Sequence, residues 1–202
     1  MNKPNFLFKI FLFLFALSAA NVFAQSDTRQ PQADQCYEVV LQILVASNSA
    51  GEKSSLPPTL SNVVKKLKTN YSFSDYRLAT TFLQRTSGSI EYKSLLSDFT
   101  GLKDNNAPVF SDWSLRNLRS LPAANGRSTI QFDSFRFGAR VPIVTVIMNE
   151  SGKTSPSVNY EAIGITTTRF SLSENEPTIV GSLATSKPDE LMFLVLTVKP
   201  AE

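Results

Sequence analysis

The segment Leu191-Met192-Phe193-Leu194-Val195-Leu196-Thr197-Val198 constrains the fold more than any other. It is an apolar run with turn signals before it and Pro200 after it. Its length suits a strand, and its lack of alternation reads as a strand buried on both faces, central in its sheet. A second strand is expected over Tyr37 to Val45. There the odd positions are all apolar while Glu38 and Gln42 punctuate the even ones, the period-2 signature of one strongly buried face.

One amphipathic helix is expected next. Pro57-Pro58 precedes Leu60, Val63, Val64 and Leu67, spaced i, i+3, i+4, i+7, and Pro is tolerated in a first helical turn. Lys65, Lys66 and Lys68 near its end suit the negative pole of the helix dipole. Tyr76, Leu78, Thr80 and Phe82 then alternate, and a Ser87-Gly88 turn leads to Ile90 and Tyr92, which predicts a β-hairpin. Tyr92, Leu95, Leu96 and Phe99 also fit a helical stripe, and periodicity alone does not arbitrate over so short a run.

Residues Thr100 to Ser128 form the least regular stretch, rich in Asn, Pro and Gly. Within it Ser111 to Arg119 is expected to make two turns of helix, with Ser111 as cap and Leu115 and Leu118 facing in. Long irregular segments are often binding loops, so Trp113, Arg116 and Arg119 are candidate partner-binding residues. The competing reading of Trp113 is that it pins the loop to the core. From Ile130 the chain turns β-rich: Phe132, Phe135 and Phe137, then Val141 to Ile147 with Pro142 marking an edge or bulge. A turn over Asn149 to Ser157, a strand from Val158 to Phe170 and a short one over Pro177 to Leu183 follow. The expected fold is therefore α+β and weighted to β, mostly antiparallel, with one helix and a second short one.

The first 24 residues read as a secretory signal peptide. Lys3 and Lys9 supply the positive segment, Ile10 to Ala20 is uncharged, and Val22-Phe23-Ala24 makes an A-x-A-like site for cleavage between Ala24 and Gln25. From Ile10 to Phe23 the chain falls short of the roughly 20 residues a membrane-spanning helix needs. Gln25 to Gln35 is read as a disordered leader and 36–202 as a single domain. Without Lys3 and Lys9, Lys+Arg falls from 20 to 18 against 17 Asp+Glu. That balance lacks the concentrated positive charge of a nucleic-acid binder. The sole cysteine, Cys36, allows no disulfide within the chain.

The chain contains no histidine. Ser-His-Asp and Cys-His nucleophile systems, HExxH zinc sites and every other histidine-based metal site are thereby excluded. The eight glycines are dispersed, so no P-loop or dinucleotide fingerprint exists, and no cofactor is expected. A carboxylate-pair hydrolase survives as an alternative, with Glu91, Asp98, Asp133, Glu161, Asp189 and Glu190 as its candidates.

Three segments carry a family resemblance. Gly138-Ala139-Arg140-Val141-Pro142-Ile143, then Val158-Asn159-Tyr160-Glu161-Ala162-Ile163-Gly164-Ile165, then Glu190-Leu191 through Pro200 follow the patterns G-x-x-V-P, V-x-Y-x-x-x-G-[IV] and E-L-apolar-P. Together they resemble the core of bacterial outer-membrane secretins, and Tyr37 to Val45 is similar to the strand that opens that core. The resemblance implies a periplasmic or outer-membrane location, no catalysis and assembly through β-strand pairing between subunits. Only Gly181 stands where the family has a Gly-Gly-Leu turn and a long insertion. A secretin-like β module is therefore expected, not a gated channel.

The functional expectation is an exported, non-catalytic binding or assembly module of the cell envelope, in the periplasm, at the outer membrane or outside the cell. Its expected partner is an envelope protein or a second copy of the chain, joined by β-strand pairing.

Overall fold

The computed structural model describes residues 35–49, 56–96, 108–122, 128–148, 152–185 and 187–201. The signal peptide, its Ala24–Gln25 cleavage site, nearly all of the leader and Phe99 lie outside the described residues. Two antiparallel sheets dominate. Strand β1 (Tyr37–Ser47) pairs with β2 (Asp75–Thr86) and β9 (Glu190–Pro200), and β8 (Thr178–Ala184) completes the first sheet in the order β2-β1-β9-β8. The second sheet holds β3 (Ile90–Leu96), β4 (Val109–Arg116), β5 (Arg119–Pro122), β6 (Ser128–Met148) and β7 (Thr154–Ser173). Strands β4 and β5 share one edge of β6, and β7 takes the other.

Why β9 is apolar throughout follows from what covers it. Met192, Leu194, Leu196 and Val198 face the second sheet, in one core with Val39, Leu41, Trp113, Phe132, Phe135 and Phe137. Phe193 and Val195 face the opposite way, onto helix α1 (Ser61–Asn70) and the 3-10 turn Pro58–Leu60 before it. The expected helix is therefore present, and its buried residues are Leu60, Val63 and Leu67 of the predicted stripe. Strand β1 departs from the single buried face read in its sequence. Beyond Leu41 every residue is buried, because Leu44 and Ala46 pack under the helix while Leu41 and Ile43 pack between the sheets. The architecture is helix over sheet over sheet, a β-weighted α+β fold as expected.

Two sequence expectations are corrected. The predicted β2–β3 hairpin does not form: the turn at Ser87-Gly88 carries the chain from one sheet to the other, so β2 pairs with β1 and β3 with β4. The corner is held by the Leu118 amide donating to the Gly88 carbonyl at 2.7 Å and by Thr86 Oγ1 donating to the Ser89 carbonyl at 2.8 Å. The helical stripe considered from Tyr92 to Leu96 is strand β3.

The second correction concerns Ser111 to Arg119, which is not a helix but β4, a turn and the start of β5. Val109, Ser111, Trp113 and Leu115 are all buried at period 2, and that alternation prevails over the i, i+3 spacing of Leu115 and Leu118. Asn117, at φ 56, makes the turn, a conformation Asn tolerates better than most residues.

Strand β6 is longer than its sequence suggested. Its inward residues shift phase between Phe132 and Phe135, where the pairing with β7 skips Asp133 and Arg169. Arg169 adopts φ 52 at that point, so both strands are irregular there. Beyond Arg140, the last residue of β6 paired with β4, β6 pairs only with β7 among the described residues. Pro142 is the second residue past this limit, at the edge its missing N–H predicted. Residues Val141–Met148 and Thr154–Glu161 thus form a two-stranded arm, about 26 Å long at the usual strand rise.

Candidate functional site

The site is best built on the face of the second sheet that points away from the core. The pairing register arranges that face in rows. Glu91, Ser114, Arg136 and Thr166 lie side by side, followed by Lys93, Asp112, Gly138 and Gly164, then Leu95, Phe110, Arg140 and Ala162. Further along, on the arm, the same face carries Tyr160, then Val144 with Val158, Val146 with Pro156, and Met148 with Thr154.

Two open concavities lie on this face. The first, about 650 Å³, is lined by Glu91, Asp112, Arg116, Asn117, Asp133 and Arg136, among others. Three carboxylates line it, and each already holds a cation. Glu91 pairs with Lys93 at 3.2 Å, Asp112 with Arg136 at 3.6 Å and Asp133 with Arg119 at 3.6 Å. Asn117 Nδ2 also donates to Asp133 at 2.8 Å. The second concavity, about 620 Å³, is lined by Lys93, Leu95, Phe110, Asp112, Arg136, Gly138 and Arg140, among others. Gly138 lies in it, and the space left by the missing side chain is taken by the Asp112 carboxylate. A Cβ on Gly138 would lie 2.8 Å from Asp112 Oδ1, and one on Gly164 would meet the Phe137 carbonyl oxygen. Arg140 lies 5.7 Å over the Phe110 ring, which meets Tyr160 edge-on at 5.5 Å.

The three candidate partner-binding residues do not act together. Trp113 is 1% exposed, packed between the sheets 6.2 Å from Tyr92, so its ring belongs to the core and does not reach a partner as an anchor. This is the pinning role, fulfilled by a strand residue and not by a loop. Its Nε1 has no hydrogen-bond partner among the described residues. Arg116 is exposed on the rim of the first concavity. Arg119, on β5, is held by Asp133.

The remaining candidate carboxylates are scattered. Glu161 is exposed on β7 opposite Val141, and the Asp189 carbonyl accepts from the Asn48 amide at 3.2 Å. Glu190 is buried in the first sheet between Arg77 at 3.9 Å and Lys187 at 3.8 Å. Asp98 lies outside the described residues. Among the described residues no group of three His, Cys, Asp or Glu could hold a metal ion. No described helix is long and apolar enough to cross a membrane.

Sequence reasoning missed Phe110, Arg136, Arg140 and Tyr160. Their clustering depends on register between strands far apart in the chain, and no local spacing announces it. It also missed the arm's exposed apolar side chains, of which Val146 is 71% and Met148 72% exposed. Alternation in Val144-Thr145-Val146 was the available signal, but it reads the same for a strand with a covered face. No protein-family model, curated protein or solved structure matches the chain.

Proposed function

We propose that the chain is an exported, non-catalytic binding or assembly module of the bacterial cell envelope. The observation that carries this reading is the β6–β7 arm. A two-stranded ribbon is at best marginally stable alone in water, and this one exposes Ile143, Val144, Val146, Ile147, Met148, Val158 and Tyr160. Contiguous exposed apolar surface of this kind marks an interaction site. The arm also keeps backbone groups for strand addition, since among the described residues Val141–Met148 has a pairing partner on one edge only. The missing histidine, the single cysteine and the scattered glycines support contact as the mode of action.

Self-association through strand pairing is the form of assembly the arm suits. Light scattering on the processed chain tests it. Mass that rises with concentration in the wild type and stays monomeric in Val146→Asp supports the proposal. A strictly monomeric wild type that captures no envelope protein removes it. The narrower reading, an accessory relative of secretin-type machinery, rests on the three motifs quoted above. Failure of the processed chain to co-purify with a secretin channel from its own envelope would end it.

A further inference from the structure

We propose that the outer face of the second sheet, arm included, docks flat on an anionic lipid surface. Lipid phosphates would be received by Lys93, Arg136 and Arg140, and the apolar side chains of the arm would enter the boundary of the hydrocarbon. The inference rests on the reading of the chain as a contact module and names the lipid surface as one of its partners.

The two faces of the arm differ. On the outer face stand Pro142, Val144, Val146, Met148, Pro156, Val158 and Tyr160, with Thr154 at the tip. On the other face Val141, Ile143 and Ile147 are accompanied by Thr145, Ser155, Ser157, Asn159 and Glu161, with Asn159 Nδ2 donating to Thr145 Oγ1 at 3.1 Å. The outer face is the more apolar, with Thr154 its polar side chain, and its strip runs directly into the charged rows of the sheet.

Those rows are charged to receive an anion. The rows carry Lys93, Arg136 and Arg140 against Glu91 and Asp112, an excess of one positive charge, with Lys93 paired to Glu91 at 3.2 Å. Asp112 is engaged by Arg136 at 3.6 Å, and Arg140 makes no ion pair among the described residues. The Asp112 carboxylate lies over Gly138, on the Arg136 side of the concavity, so the open approach for a phosphate group is at Arg140. At the junction between strip and basic rows lie Phe110 and Tyr160, 5.5 Å apart. Amphipathic aromatics prefer the level of the headgroups, between an apolar zone and a charged one.

Backbone chemistry decides the orientation. Standing upright, a lone two-stranded arm would carry unpaired N–H and C=O groups into hydrocarbon, which is costly for every group. Lying flat, it keeps both edges at the hydrated headgroup level while its outer side chains are buried, as interfacial amphipathic elements do.

The test is co-sedimentation of the processed chain with phosphatidylcholine vesicles, with and without phosphatidylglycerol. Binding is expected to the vesicles containing phosphatidylglycerol and to fall as salt shortens the screening length. Arg136→Gln and Arg140→Gln should each weaken it about fivefold. Val146→Asp and Met148→Asp should each weaken it at least about tenfold, by removing a buried apolar side chain. All four positions are exposed, so far-ultraviolet circular dichroism should be unchanged. No binding to anionic vesicles overturns the inference, as does equal binding to both vesicle types. Saturable binding of inorganic phosphate without vesicle binding also overturns it. A chain that oligomerises through its arm yet ignores vesicles overturns the lipid assignment and leaves the contact module standing. A chain that binds anionic vesicles as a monomer supports the lipid assignment and removes self-association.

Discussion

Truncating Trp113 to alanine should destabilise the protein by about 3–5 kcal/mol. Trp113 is 1% exposed and belongs to the core between the two sheets, near Tyr92. An aromatic of this size buries about 150–250 Å², which at about 25 cal/mol per Å² is worth roughly 4–6 kcal/mol as an upper bound. Alanine keeps part of that, and the space left behind adds a cavity penalty because the sheets on either side cannot fully collapse. Trp113→Phe separates size from polarity. It removes an indole N–H with no partner among the described residues, whose burial costs about 1–3 kcal/mol, and so offsets much of the lost volume. The phenylalanine variant should therefore lie within about 1.5 kcal/mol of wild type. Urea unfolding followed by circular dichroism measures both, with the midpoint shifting and the slope constant if only stability changes. The alanine variant should also melt roughly 6–20 °C lower. If Trp113→Ala unfolds within about 1 kcal/mol of wild type while partner or vesicle binding disappears, the ring is a recognition anchor and its assignment to the core is wrong.

Three other expectations concern single positions. Gly164→Ala should cost about 1–3 kcal/mol, because the added Cβ meets the Phe137 carbonyl oxygen. Gly88→Ala, with open space around the same atom, should stay within about 0.5 kcal/mol in the same denaturation assay. Val146→Asp should leave stability within about 0.5 kcal/mol while abolishing self-association, read by thermal melting and light scattering together. Glu38 is held below its ordinary carboxylate range chiefly by the hydrogen-bonded Lys199 ammonium at 2.6 Å, with Arg85 adding to the effect and desolvation opposing it. A depressed folded value means its stabilisation is present above the unfolded value near 4.5 and is lost as pH falls through the folded one. Stability measured from neutral pH down through this window should therefore fall less steeply in Glu38→Gln than in wild type.

The parts of the fold that were legible are those whose burial leaves a local pattern. Strand β9 is sandwiched between helix and sheet, so its sequence is apolar at both parities, and α1 shows its stripe because only one face is covered. Strand β4 was not legible, because polar Ser111 is buried while apolar Phe110 is exposed, so polarity does not follow burial along it. The Ser87-Gly88 turn was found, but a turn does not say whether the next strand returns to the same sheet. The candidate site was least legible of all. Arg116 and Arg119 were placed at the surface, whereas the row of Phe110 and Arg140, with Tyr160 beside it, exists only because β4, β6 and β7 pair in one particular register. Register is a non-local quantity, settled by which faces find a core.

The account depends on the arm being a surface that becomes covered when the protein works. Hydrogen exchange read along 141–161 tests this directly, comparing the dilute processed chain with the same chain incubated with isolated envelope membranes. Slowed exchange concentrated in 141–148 and 154–161, with β1 and β9 unchanged, is the predicted result. Exchange in the arm that stays as fast with membranes as without them would contradict it.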